Sequence, residues 1–110
     1  MATKQTTIDY LLDQLLPLDN IATRKMFGEF ALYYCGKVVA LICDNILYVK
    51  ITAAGKDFVG DYYQAGFAYP GAKESMLIDE DRIEDGDWLR ELIQITHDNL
   101  PEAKVKKSKK

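Results

Sequence analysis

Between Thr23 and Ile51 the chain reads TRKMFGEFALYYCGKVVALICDNILYVKI, a succession of short β-type runs. Residues 29–34, 37–43 and 46–51 are dense in β-branched and aromatic side chains, and Cys35-Gly36 and Asp44-Asn45 stand where two-residue hairpin turns belong. A preceding strand over 22–27 is expected, with Gly28 marking a bend or bulge. These runs predict an antiparallel meander. Side chains alternate faces along a strand, so Leu47, Val49 and Ile51 share one side and Ile46, Tyr48 and Lys50 the other. Lys50 assigns the second side to solvent, which leaves the first for helices. The run 37–43 is apolar on both sides, as a central strand is, so the solvent face is only partly polar. Tyr33, Tyr34 and Tyr48 add to whichever surface they reach, and such a face is a candidate dimer or partner surface.

Helical periodicity flanks the meander. Ile8, Leu11, Leu12, Leu15 and Leu16 fall on one face of a helix predicted over 7–16, with Thr6 as its N-cap and Pro17 as its stop. Thr52 is placed to cap a short helix ending near Val59, and a further turn is expected within 61–65. Residues 67–69 and 74–78 read as two more strands, joined by Pro70-Gly71-Ala72-Lys73 in a type II turn. A last helix is predicted over 87–99, capped at or near Asp85, with Leu89, Leu92, Ile93, Thr96 and Leu100 on its inward stripe.

A chain of 110 residues with 48% hydrophobic content fits one domain, assigned to residues 1–103, whose core needs neither a metal nor a disulfide. Cys35 and Cys43 sit at opposite ends of one strand, about 25 Å apart at the usual rise and beyond bridging distance. Nothing resembles a secretory leader or a membrane span, so the expected location is cytoplasmic, with no membrane contact. Charge is divided along the chain. Five lysines, Lys104, Lys106, Lys107, Lys109 and Lys110, close it without a single acid, and removing them takes the net charge from −3 to −8. Residues 104–110 have no apolar periodicity and are expected to be disordered.

Catalytic constellations are not evident. His97 stands near the end of the last helix, where the helix dipole accounts for it, and Cys35 in its turn has only Lys37 nearby in sequence. Gly71-Ala72-Lys73-Glu74-Ser75 shares only its lysine with a phosphate loop. Asp79, Glu80, Asp81, Glu84, Asp85 and Asp87 miss the EF-hand register and read as a solvated acidic loop at the start of the last helix. No metal or cofactor is implied. Arg24, Lys25, Tyr33 and Tyr48 remain as candidate partner contacts, and the lysine tail as a weak electrostatic contact to nucleic acid.

The ordered series Arg24-Lys25-Met26-Phe27-Gly28, Leu32-Tyr33, Ala40-Leu41, Asp44-Asn45, Leu47-Tyr48-Val49-Lys50 and Tyr69-Pro70-Gly71, with Met76 beyond it, resembles the TfoX N-terminal domain family over about residues 7–100. Gly28-Glu29 replaces a Gly-Gly pair common in that family. The resemblance implies an α+β fold of two layers, an antiparallel sheet of about five to six strands with helices packed on one face. It implies no established catalytic residues. In competence regulators of the TfoX/Sxy type a helical C-terminal domain follows, and the whole protein acts as a co-activator with a cyclic-AMP-receptor-type transcription factor. The expectation for this chain is a non-enzymatic regulatory or interaction module. Its partner would be a transcription factor or a second copy, with nucleic-acid association through the tail as the alternative.

Overall fold

Both two-residue hairpin turns adopt left-handed backbone, with φ of 52° and 86° at Cys35 and Gly36 and of 54° and 65° at Asp44 and Asn45. Positive φ at both central residues is the type I′ arrangement, whose twist matches that of the strands it joins. A computed structural model describes residues 3–26 and 29–100. The expected bend at Gly28 and tail at 104–110 lie outside these residues. The turns connect β2 (Glu29–Tyr34), β3 (Lys37–Cys43) and β4 (Ile46–Val49), and β1 (Ile21–Met26) lies against β2. A second hairpin, β5 (Ala65–Gly66) and β6 (Ser75–Ile78), docks through β6 onto β4, giving an antiparallel sheet of order β1-β2-β3-β4-β6-β5.

Among the described residues four α-helices accompany the sheet: α1 (Gln5–Leu15), α2 (Ala53–Val59), α3 (Glu80–Glu84) and α4 (Gly86–Asn99). Their buried side chains, among them Ile8, Leu11, Leu15, Val59, Leu89, Leu92 and Ile93, meet Phe30, Leu32, Ile42, Leu47, Val49, Met76 and Ile78 in one core. This is the two-layer α+β architecture that the resemblance implies. Leu47 and Val49 face the helices as their alternation predicts. A register shift breaks the simple alternation along β3. Leu32 pairs with Ala40 but Tyr33 with Val38, so Val39 is the extra residue of a β-bulge, and Val39 and Ala40 both enter the core.

Local capping matches the sequence at α2, where Thr52 Oγ1 accepts from Gly55 N at 2.9 Å, and at α4, where Asp85 accepts from Trp88 N at 3.2 Å. It does not at α1. Thr6 lies inside that helix, and Lys4 occupies the N-cap with no side-chain bond. The start of α1 is instead held by the β3–β4 turn: Asn45 Oδ1 accepts from Lys4 N and from Thr7 Oγ1, both at 2.9 Å. The acidic run is not a loop either. Glu80–Glu84 forms α3 because Ile83 buries its side chain in the core, while Gln14 Nε2 donates to Ile83 O at 2.6 Å. The far end of α4 is closed by Lys37, whose Nζ donates to the carbonyls of His97 and Leu100 at 3.0 and 3.1 Å.

Glu29 ties the N-terminal segment to the same β3–β4 turn. Its Oε1 accepts from Thr3 Oγ1 at 2.6 Å, and from Thr3 N and Asp44 N at 3.1 Å. The Thr3 hydroxyl, aided by the two backbone N–H groups and opposed by burial, holds the carboxyl below its ordinary value of 4.5. A depressed carboxylate contributes stability that is full above its unfolded value and lost as pH falls through its folded value. The stability difference between the wild type and Glu29→Gln is therefore expected to stay constant from neutral pH to about pH 5 and to narrow below about 4.5. Chemical denaturation of both proteins across that range measures it, and a difference that widens in acid would contradict the assignment.

Candidate partner-binding face

Every helix of the core packs on one side of the sheet, and pairing register identifies what the other side carries. Arg24 lies opposite Ala31, Ala31 opposite Leu41, Leu41 opposite Tyr48 and Tyr48 opposite Leu77, one row crossing five strands. Beside it lie Ala22, Tyr33 and Val38. Among the described residues no helix covers this row. Yet Tyr48 is only 8% exposed, because the far edge of the sheet closes on its ring. A Cβ built on Gly66 would lie 2.8 Å from Tyr48 Cε1 and 3.1 Å from Cδ1, so the ring rests on bare backbone.

Residues 67–69, expected as a strand, do not form one. Pairing of β5 with β6 ends at Gly66 with Ser75, and the chain leaves the sheet there. It turns at Pro70-Gly71, where Gly71 has φ of 86° and Ala72 N donates to Tyr69 O at 2.9 Å, the type II geometry predicted for this pair. Between this segment and the open sheet face runs a groove of about 1100 Å³, lined by Leu41, Cys43 and Tyr48 on the sheet side and by Phe67, Ala68, Tyr69 and Pro70 on the other. Phe67 and Tyr69 are 57% and 56% exposed, large apolar area for isolated loop residues.

The polar end of the groove is anionic, with Glu29 and Asp44 in its lining. Burial, reinforced by the Glu29 carboxylate, pushes the Cys43 thiol up, and burial, then Cys43 and Asp44, does the same to the Tyr48 phenol. Both groups are therefore neutral near pH 7, suited to contact and poorly activated for nucleophilic attack.

Of the sequence-predicted contacts, the fold brings together Arg24 and Tyr33, with the guanidinium carbon 5.9 Å from the ring centroid, and places Tyr48 on the same face as groove floor. Lys25, next to Arg24 on a strand, projects to the other side of β1. The five tail lysines lie outside the described residues. Sequence reasoning missed Phe67, Tyr69 and Pro70. The available signal was a pair of aromatic residues, Phe67 and Tyr69, running straight into the Pro70-Gly71 turn.

Other chemistry-bearing residues are dispersed. His97 stacks edge-on against Tyr34 on the helix side at 5.0 Å, and Cys35 and Cys43 are both free thiols. No group of three or more His, Cys, Asp or Glu side chains converges among the described residues. The cation in the acidic run, Arg82, packs over aromatic rings, 4.2 Å from the centroid of Tyr62 and 5.4 Å from that of Trp88. No described helix is long and apolar enough to cross a membrane.

Fold and face together define a two-layer α+β domain with helices on one side of its sheet and a grooved, aromatic surface on the other. The chain belongs to the TfoX N-terminal domain family, whose profile matches residues 13–100. It is also similar to the uncharacterised 12.7 kDa protein of the trpE 5′ region in Spirochaeta aurantia, 37% identical over 109 residues that span 99% of this chain and 93% of that protein.

Proposed function

We propose that this chain is a regulatory protein-interaction module that docks a protein partner in the groove between its open sheet face and residues 67–71. The observation that carries this reading is the exposure of Phe67 and Tyr69 over an apolar floor of Leu41, Cys43 and Tyr48. Aromatic anchors around a concave apolar surface are the usual seat of binding energy at protein interfaces. Family membership supports a role of the kind played by TfoX/Sxy regulators, with a transcription factor of the cyclic-AMP-receptor type as the partner to test first. The neutral thiol and phenol of the groove favour contact over covalent chemistry, which supports a non-enzymatic role.

Titration calorimetry with that transcription factor from the same host tests the reading. Phe67→Ala with Tyr69→Ala is expected to weaken binding at least tenfold and to leave the melting temperature nearly unchanged, since both side chains are exposed. Undiminished affinity in the double variant, or no binding by the wild type, would count against it.

A further inference from the structure

A second surface, separate from the groove, is the outer edge of β1. The sheet ends on one side in the two-residue β5 and on the other in the six-residue β1. Asn20 O accepts from Cys35 N at 3.0 Å, which fixes the parity of the β1–β2 ladder. Antiparallel ladders alternate between hydrogen-bonded and non-bonded pairs, so the backbone groups of Ala22 and Arg24 point toward β2. Those of Ile21, Thr23 and Lys25 point outward, and among the described residues no hydrogen bond reaches them.

The charge of this edge is opposite to that of the chain. Residues 21–26 hold two cations and no anion in a protein with 17 acidic and 14 basic residues. Arg24 and Lys25 are exposed, project to opposite faces of β1, and have no carboxylate partner among the described residues. On the open face the strand is flanked by a shallow depression of about 760 Å³ lined in part by Ala22, Arg24, Tyr33 and Cys35.

We propose that β1 is a docking edge for an extended acidic segment of a partner protein, which adds a strand by pairing with the outward groups of Ile21, Thr23 and Lys25. Strand addition draws affinity from main-chain hydrogen bonds and specificity from alternate side chains. An acidic strand meets a cation on each face of the sheet, and its open-face side chains enter the depression. A second β1 is rejected by the same charges, since cations on an edge strand are a device against self-pairing. This inference is independent of the groove, and either can fail alone.

The test is an NMR titration of the whole chain with a capped octapeptide of alternating valine and glutamate, and with its valine–lysine counterpart. Amide exchange is expected to slow at Ile21, Thr23 and Lys25 and to stay as it was at Ala22 and Arg24, whose N–H groups are already paired. Arg24→Glu with Lys25→Glu should weaken binding of the glutamate peptide at least tenfold and reverse the preference. Thr23→Pro removes one outward donor without touching the β1–β2 ladder and should abolish the slowed exchange at Ile21 and Lys25. If that variant folds poorly, the charge-reversed protein still decides the matter. Equal binding of both peptides, shifts confined to Leu41 and Tyr48, no binding, or self-association through β1 would each overturn the proposal.

Discussion

Replacing Leu92 with alanine is expected to lower the free energy of unfolding by about 2–5 kcal/mol, toward the upper part of that range. Leu92 is fully buried on α4 and belongs to the single core. Its surroundings are legible from Gly55. A Cβ built there would lie 3.5 Å from Met76 Cε and 3.7 Å from Leu92 Cδ1, so α2, α4 and β6 converge at a point where α2 has no side chain. At Gly55, α2 therefore offers no side chain to close a cavity at Leu92, and cost rises with the volume left open. Nor can Gly55 be enlarged to compensate. The added Cβ would lie 2.9 Å from Thr52 Oγ1, the atom that caps α2. Denaturant unfolding should show a lower midpoint with unchanged slope. A loss under about 1 kcal/mol would mean that the helices can close over the gap and that this three-element contact is softer than described.

What the sequence made legible divides along local and long-range lines. The hairpins are legible because a type I′ turn demands left-handed backbone at both central positions, and Gly36, Asp44 and Asn45 are residue types that adopt it, Cys35 being the one position of the four without that signal. The Thr52 cap is legible because its acceptor and donor are three residues apart. The start of α1 is not, since its side-chain acceptor is Asn45, 41 residues beyond Lys4. Helix α3 depends on one apolar residue, Ile83, in a run of carboxylates, and whether that residue is buried is decided by the core, not by its neighbours in sequence. The candidate face follows the same division. Alternation alone places Tyr48 opposite Leu47 and Val49 and separates Arg24 from Lys25, whereas the groove needs the Gly66–Tyr48 contact and the departure of residues 67–71 from the sheet.

That contact carries the other large effect. Gly66→Ala is expected to destabilise the fold by about 1–3 kcal/mol, the range for forcing atoms into a packed site. The new Cβ would lie 2.8 Å from Tyr48 Cε1 and 3.1 Å from Leu77 Cβ, and neither neighbour can readily yield. The Tyr48 ring is nearly buried on β4 between β3 and β6, and Leu77 belongs to β6 itself. Either the ring swings into the groove or β5 separates from β6. In both cases the groove loses its shape, so partner affinity should fall along with stability, unlike the effect of truncating Phe67 and Tyr69. A double-mutant cycle isolates the cause: in a Tyr48→Ala background, Gly66→Ala should cost much less, leaving a coupling energy of about 1 kcal/mol or more. An unchanged cost would place the clash at Leu77 and leave Tyr48 free of it. A coupled result means that the bare backbone at Gly66 does two jobs at once, ending the β5–β6 ladder and keeping the aromatic floor of the groove in place.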